Sequence, residues 1–271
     1  MPEQDPASNS ETTPEEERES VKMPFLEHLA ELRTRLVRAG IAVLAAFTVA
    51  FALKERLYDF LKNPLTPYLP SGSKLIYTSP AELFFAYMKI AFLAGVVAAS
   101  PVIFHQLWKF ISPGLYEKEK KLVWPFVITS STLFISGAIF CYVVVFPFMF
   151  QFFMSLATDD IVPMLKVNEY LSFSATLLFL FGVMFETPLV LFFLAKLGVV
   201  NSRMLRKQRR YAILLIFVMA AVVTPTPDVI TQTLMAIPLM VLYEFSIILI
   251  ARAEKNKAAA EEEAEEAGEA G

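Results

Sequence analysis

The sequence predicts an all-α, polytopic membrane protein whose six transmembrane helices carry proline kinks and form a curved bundle with a concave face. Three observations predict it. Hydrophobic residues make up 56% of the 271 positions, 25 of them phenylalanine, and the mean hydropathy is +0.52, more apolar surface than a soluble domain of this size needs. These residues fall in long runs parted by short charged stretches, the pattern required when roughly 20 residues must cross a hydrocarbon core of about 30 Å. Five prolines lie within the runs, Pro101, Pro125, Pro147, Pro188 and Pro238. Each removes a backbone donor and bends its helix, which lipid tolerates only where neighbours or water satisfy the freed carbonyl, so five together favour a curved bundle.

Residues 1–22 read as a disordered polar leader. Glu15, Glu16, Glu17 and Glu19 make it acidic, and it lacks the basic and apolar regions of a cleaved signal peptide, so the first helix must itself direct insertion. The membrane domain covers residues 23–253. From Pro24 an amphipathic segment sets Phe25, Leu26, Leu29, Leu32 and Leu36 against Glu27, Glu31 and Arg35, the profile of a helix lying at the membrane surface before turning inward. Spans follow at about residues 37–53, 82–104, 123–149, 171–194, 211–223 and 232–250, the fifth being short for a full crossing. Residues 54–80 form the longest connection, and Pro64, Pro67, Pro70 and Ser71-Gly72 mark turns in it. It closes on Ser79-Pro80-Ala81-Glu82, a capping-box spacing that starts the second span. Residues 254–271 are an acidic Ala/Glu tail.

Basic residues resist translocation, so their distribution sets orientation. Eighteen Lys and Arg side chains flank one side of the spans and five the other (Lys54, Arg56, Lys62, Lys74 and Lys166), with Lys89 inside a span. This places the leader, the 105–122 loop, the 195–210 loop and the tail in the cytoplasm, in a multi-pass protein of the bacterial inner membrane.

Catalytic signatures are sparse. There is no Gly-rich phosphate loop, and His28 and His105 have no metal-ligand partners at useful spacing. The single cysteine, Cys141, sits in an apolar run as a small hydrophobe. An enzyme, a bound cofactor, a metal or a nucleic-acid partner is therefore not expected. Ionisable residues within the spans say more, since a charge near the bilayer centre costs about 2.5–3.5 kcal/mol. Lys89 can snorkel outward. Glu186 lies deeper and must be protonated, paired or facing a polar groove, whereas Glu244 suits an interfacial place beside Arg252. On the cytoplasmic side Glu27, Glu31, Glu117 and Glu119 sit among basic residues. An i,i+4 pair with Arg35 accounts for Glu31 and a solvated charge run for Glu117 and Glu119, yet an arriving basic peptide would need such carboxylates, because guanidinium is best held by bidentate, charge-assisted bonds.

Several stretches, in order, resemble one family. They are Met23-Pro24-Phe25-Leu26-Glu27-His28-Leu29-Ala30-Glu31-Leu32-Arg33, Ser100-Pro101, Trp108-Lys109-Phe110-Ile111-Ser112-Pro113-Gly114-Leu115-Tyr116, Glu119, Phe185-Glu186-Thr187-Pro188, and Thr224-Pro225-Thr226-Pro227-Asp228 leading to Gln232-Thr233. Together they resemble TatC, the multispanning subunit of the twin-arginine protein translocase, over about residues 23–252. The resemblance implies a receptor for signal peptides bearing paired arginines. It would help export folded proteins using the proton gradient, with TatA-type and TatB-type single-span partners, in a higher-order oligomer surrounded by membrane lipid. It also implies that Glu31 and Glu119 hold the arginines, that Arg33 and Phe110 are recognition residues, that Pro64 is an outer-loop proline and that Glu186 is the membrane-buried polar residue. Asp228 and Gln232 match the acidic and amide groups after the fifth span. The competing reading is an ion-coupled solute transporter with Glu186 as its proton site, which would be expected to show repeat symmetry; no convincing repeat is visible.

The basic asymmetry predicts that reporter fusions at Lys166 and Asp228 signal from the outer compartment and fusions at Arg206 and after Arg252 from the cytoplasm. A cytoplasmic signal at either outer site overturns the topology.

Overall fold

The computed structural model describes residues 14–70, 73–111, 123–158, 163–223 and 229–269. Its helices are α1 (Pro14–Ala52), α2 (Lys54–Lys62), α3 (Pro80–Ile111), α4 (Val123–Phe140), α5 (Phe146–Ser155), α6 (Val167–Phe185), α7 (Thr187–Lys196), α8 (Ser202–Lys207), α9 (Arg209–Val223) and α10 (Val229–Glu269). Among the described residues five helical stretches are long and apolar enough to cross a membrane: His28–Ala52, Pro80–Ile111, Val123–Ser155, Val167–Lys196 and Val229–Ala259. The sixth apolar helix, α9, has 15 residues and at about 1.5 Å per residue reaches only about 22 Å, short of the core thickness as its sequence indicated.

Two local expectations change. The amphipathic segment and the first span form one unbroken helix, α1, where a turn inward was expected. Between Phe25 and Ala52 there is no proline and only Gly40, whose cost of about 1 kcal/mol does not stop a helix that is otherwise well formed. At the start of α3, which begins at Pro80 as expected, Glu82 Oε2 reaches back to Thr78 instead of Ser79, accepting from its backbone N–H and its hydroxyl, each at 2.8 Å.

Two of the span prolines lie inside helices and two stand at helix junctions. Pro101 and Pro238 are carried inside α3 and α10. Pro147 follows a five-residue π turn, Cys141–Val145, that joins α4 to α5. Pro188 stands in the first turn of α7, immediately after the break at Glu186. Close packing needs small residues at two crossings. A Cβ on Gly95 of α3 would lie 2.8 Å from the Phe47 backbone nitrogen of α1, and one on Gly137 of α4 would strike the Phe181 carbonyl of α6. Buried Leu171, Leu177 and Phe181 of α6 then meet Phe146 and Met149 of α5 in the largest apolar cluster.

The 54–79 connection folds back as a cap over one end of this bundle. Leu61 and Leu65 are buried beneath it. Pro64, half-buried, lies just beyond the end of α2 and directly precedes Leu65, whose amide donates to the Lys62 carbonyl at 3.0 Å. Two tyrosines of the bundle hold the cap: Tyr170 donates to the Leu61 carbonyl at 2.6 Å and Tyr142 to the Phe60 carbonyl at 2.7 Å. An isolated parallel bridge pairs Ile76 with Lys166. At the opposite, basic end the loop after α7 docks on α10. Ser202 donates its amide to Glu254 at 3.0 Å, Tyr243 donates to the Leu205 carbonyl at 2.9 Å, and Arg209 donates to Glu244 at 2.7 Å. Arg209 thus replaces the expected Arg252 as the neighbour of Glu244.

Tyr170→Phe should strand the buried Leu61 carbonyl and lower stability by about 1–3 kcal/mol, read as a lower thermal midpoint in detergent and faster proteolysis within residues 54–79. Tyr142→Phe, whose bond is exposed, should change both less.

Candidate functional site

The sequence-marked residues fall into two regions. At the basic end, α1 and α3 meet through an aromatic contact: the rings of His28 and Phe110 stack with centroids 4.4 Å apart and planes inclined by 19°. Glu31 stands one helical turn beyond His28, and its Oε1 accepts from Arg35 Nε at 3.1 Å and also from Nη2. Arg35 is largely buried while Glu31 keeps about a third of its side chain open. The anticipated i,i+4 pair is therefore present, and it leaves Glu31 Oε2 outside that pair. Arg33 is exposed on the same helix. Glu119 lies outside the described residues.

Deeper in the bundle, Glu186 is 9% exposed at the break between α6 and α7. The indole Nε1–H of Trp108 donates to Ser130 Oγ at 2.9 Å, and Ser130 borders the same cavity as the Glu186 carboxyl. Trp108, Ser130 and Glu186 come from α3, α4 and the α6–α7 junction. The cavity measures about 310 Å³, and its other walls are chiefly apolar, among them Phe104, Phe134 and Phe179. Glu186 Oε1 and the Ser100 hydroxyl are buried there without a hydrogen-bond partner among the described residues. Two polar atoms without partners, set in an apolar cavity, are a place where a polar group from another molecule gains more than in water. A packed aromatic wall, Trp108 against Phe126 and Phe193, fixes the indole that orients Ser130.

The remaining marked residues are apart from both regions. Pro64 belongs to the cap. Gln232 donates from Nε2 to the Phe217 carbonyl at 2.8 Å and so ties α10 to the short α9. Asp228 lies outside the described residues. Sequence reasoning did not single out Ser100, Ser130 or Trp108 as neighbours of Glu186. A signal was available: four consecutive hydroxyl residues, Thr129 to Thr132, interrupt a mostly apolar run, and a mid-span hydroxyl needs an acceptor or donor.

Long apolar helices, a charged end with an arginine-paired carboxylate and one buried carboxylate at a cavity define a multi-pass membrane protein. The comparisons narrow this. Residues 27–238 match the family described as Sec-independent protein translocase protein (TatC), and the chain belongs to that family. It is 51% identical over 249 residues to the Sec-independent protein translocase protein TatC of Desulforapulum autotrophicum, covering 92% of each chain. It is 41% identical to the TatC of Aquifex aeolicus, over 87% of this chain and 98% of that one. Two crystal structures of a twin-arginine translocase receptor, TatC, superpose with TM-scores of 0.74 and 0.75 at 41% identity, over 82% and 84% of this chain and 99% of theirs.

Ser130→Ala should remove the acceptor of the Trp108 indole, costing about 1–3 kcal/mol for the stranded N–H. Thermal unfolding in detergent should show the loss, and Trp108 emission should shift. An unchanged midpoint and spectrum would mean that this bond contributes nothing.

Proposed function

We propose that this chain is the signal-peptide receptor and core subunit of a twin-arginine translocase, exporting folded proteins across the inner membrane at the expense of the proton gradient. Both termini face the cytoplasm, in keeping with the 18 to 5 distribution of basic residues. Single-span TatA-type and TatB-type subunits are its partners, within a larger oligomer.

The observation that carries this reading is the state of Glu31. In the folded chain it already holds a guanidinium, that of Arg35, so its geometry suits arginine, and an approaching arginine need only add to this contact. Arg35 is largely buried and stays paired through Oε1, so an arriving guanidinium adds at Oε2, where a charge-assisted bond contributes about 1.5–3 kcal/mol. A planar fork fits a carboxylate in a way that an ammonium does not, which gives selectivity for arginine over lysine. Glu119 supplies the second carboxylate for the second arginine. The His28–Phe110 stack holds α1 and α3 together beside Glu31, and exposed Arg33 is placed to contact the rest of the peptide. Glu186, at the cavity, offers its carboxyl to a polar residue of a partner helix or an inserted signal peptide.

Site-specific crosslinking of a twin-arginine precursor in native membranes tests the reading, with a twin-lysine precursor as control. Glu119→Ala should weaken crosslinking strongly and Glu31→Ala to a lesser degree, because Arg35 already competes for Glu31, with membrane insertion unchanged in both. Unaltered crosslinking in the double variant overturns the assignment.

A further inference from the structure

Lys89 is the one Lys, Arg, Asp or Glu between Glu82 and Lys109 along α3, and the function proposed above does not use it. Helix α3 has 32 residues, about 48 Å, so centred on a core of about 30 Å it extends about 9 Å beyond each boundary. Lys89, nine residues after Pro80, is then about 14 Å from the helix end and about 5 Å inside the hydrocarbon boundary. A lysine at that depth must find water, a carboxylate or an anionic group of the membrane.

Its surroundings favour the last. The ammonium donates to Asn168 Oδ1 at 3.1 Å and to Ser172 Oγ at 2.9 Å, both on the first turns of α6. Both acceptors are neutral, so they aim the charge without cancelling it, and an ammonium has a third N–H to give. The group opens on a polar cavity of about 500 Å³ between α3 and α6. The two carboxylates there, Glu82 and Glu169, lie nearer the capped end than Lys89 does. Glu82 is seven residues before it on α3, about 10 Å away along the axis, and Glu169 is three residues before Ser172 on α6, about 4.5 Å. Glu82 is already engaged by Thr78. Among the described residues Glu169 pairs with the exposed Lys166, at 3.3 Å, a pair weak enough to exchange. Toward the bilayer centre the exposed rings of Phe92 on α3 and Phe179 on α6 continue the surface as apolar wall.

We propose that this cavity binds a zwitterionic aminophospholipid, its phosphate on Lys89 beside Asn168 and Ser172, its headgroup ammonium on Glu169, and an acyl chain along Phe92 and Phe179. The order of charges along the membrane normal carries the assignment. Lys89 is the deepest charge in the cavity, with Glu169 above it and Lys166 beside Glu169 at the rim, and in such a lipid the phosphate sits beneath the amine. Inorganic phosphate satisfies only the lower half and would have to shed its water at the hydrocarbon edge. The site depends on the orientation proposed above only for which leaflet supplies the lipid.

The full-length protein in detergent, titrated separately with phosphatidylethanolamine, phosphatidylglycerol and inorganic phosphate, gives the test, with bound molecules counted by native mass spectrometry. Micelles have no leaflets, so the result is independent of the topology, which the reporter fusions test separately. Phosphatidylethanolamine should be held most tightly. Lys89→Met should weaken it about tenfold, the loss of one charge-assisted bond, while Lys89→Arg retains it. Exposed Glu169→Gln, which leaves the helix packing untouched, should abolish the preference for phosphatidylethanolamine over phosphatidylglycerol and keep phosphate-dependent binding. Equal binding of the two lipids by the unaltered protein, or unchanged affinity in Lys89→Met, overturns the proposal.

Discussion

Hydrocarbon offers no hydrogen bonds, and the rest of this structure follows from that constraint. A backbone group left open in lipid costs several kcal/mol, so the chain crosses as helix and confines irregular backbone to places where protein can satisfy it. The 54–79 connection is the clearest case. Its carbonyls at Phe60 and Leu61 are met by tyrosine hydroxyls from the bundle, and its distal end is pinned by the Ile76–Lys166 bridge. The breaks within helices obey the same rule. The π turn before Pro147 and the interruption at Glu186 before Pro188 each lie against neighbouring helices.

Those interruptions also create the functional geometry. A straight α6 continuing into α7 would present a uniform apolar face. The break at Glu186 instead brings a carboxyl to the wall of a cavity shared with α3 and α4, and Ser130 and the rigidly packed Trp108 hold one side of it. The close crossings at Gly95 and Gly137 bring the helices near enough for those side chains to meet. Packing and polarity are therefore coupled: the small residues that let backbones approach are what allow polar residues far apart in sequence to border one cavity inside an apolar bundle.

Charge is handled differently at the two ends. At the basic end, carboxylates are matched by arginines, Glu31 by Arg35 and Glu244 by Arg209, and the loop after α7 is fastened to α10 through Glu254. At the capped end, Lys89 is aimed by neutral acceptors and keeps its charge for something outside the chain. Each end thus offers an unfinished electrostatic contact, one suited to guanidinium and one to phosphate.

The sequence alone determined the solvent and the family. Runs of about 20 apolar residues admit only a membrane helix, the short 211–223 run already showed that α9 falls below a full crossing, and the ordered motifs from Met23 to Thr233 specified TatC. It also marked Glu186, because a carboxylate deep in an apolar run has few explanations. Only the tertiary structure decided what each marked residue touches. Glu244 met Arg209 rather than Arg252, Glu82 paired with Thr78 rather than Ser79, and the surface segment and first span merged into one helix. Ser130, Trp108 and Asn168 gained their meaning from partners on other helices. The physical reason is one of range. Hydropathy and local spacing are summed along the chain and are legible there, whereas a hydrogen bond between helices depends on how deeply two backbones interlock, which is set by packing between residues far apart in the sequence.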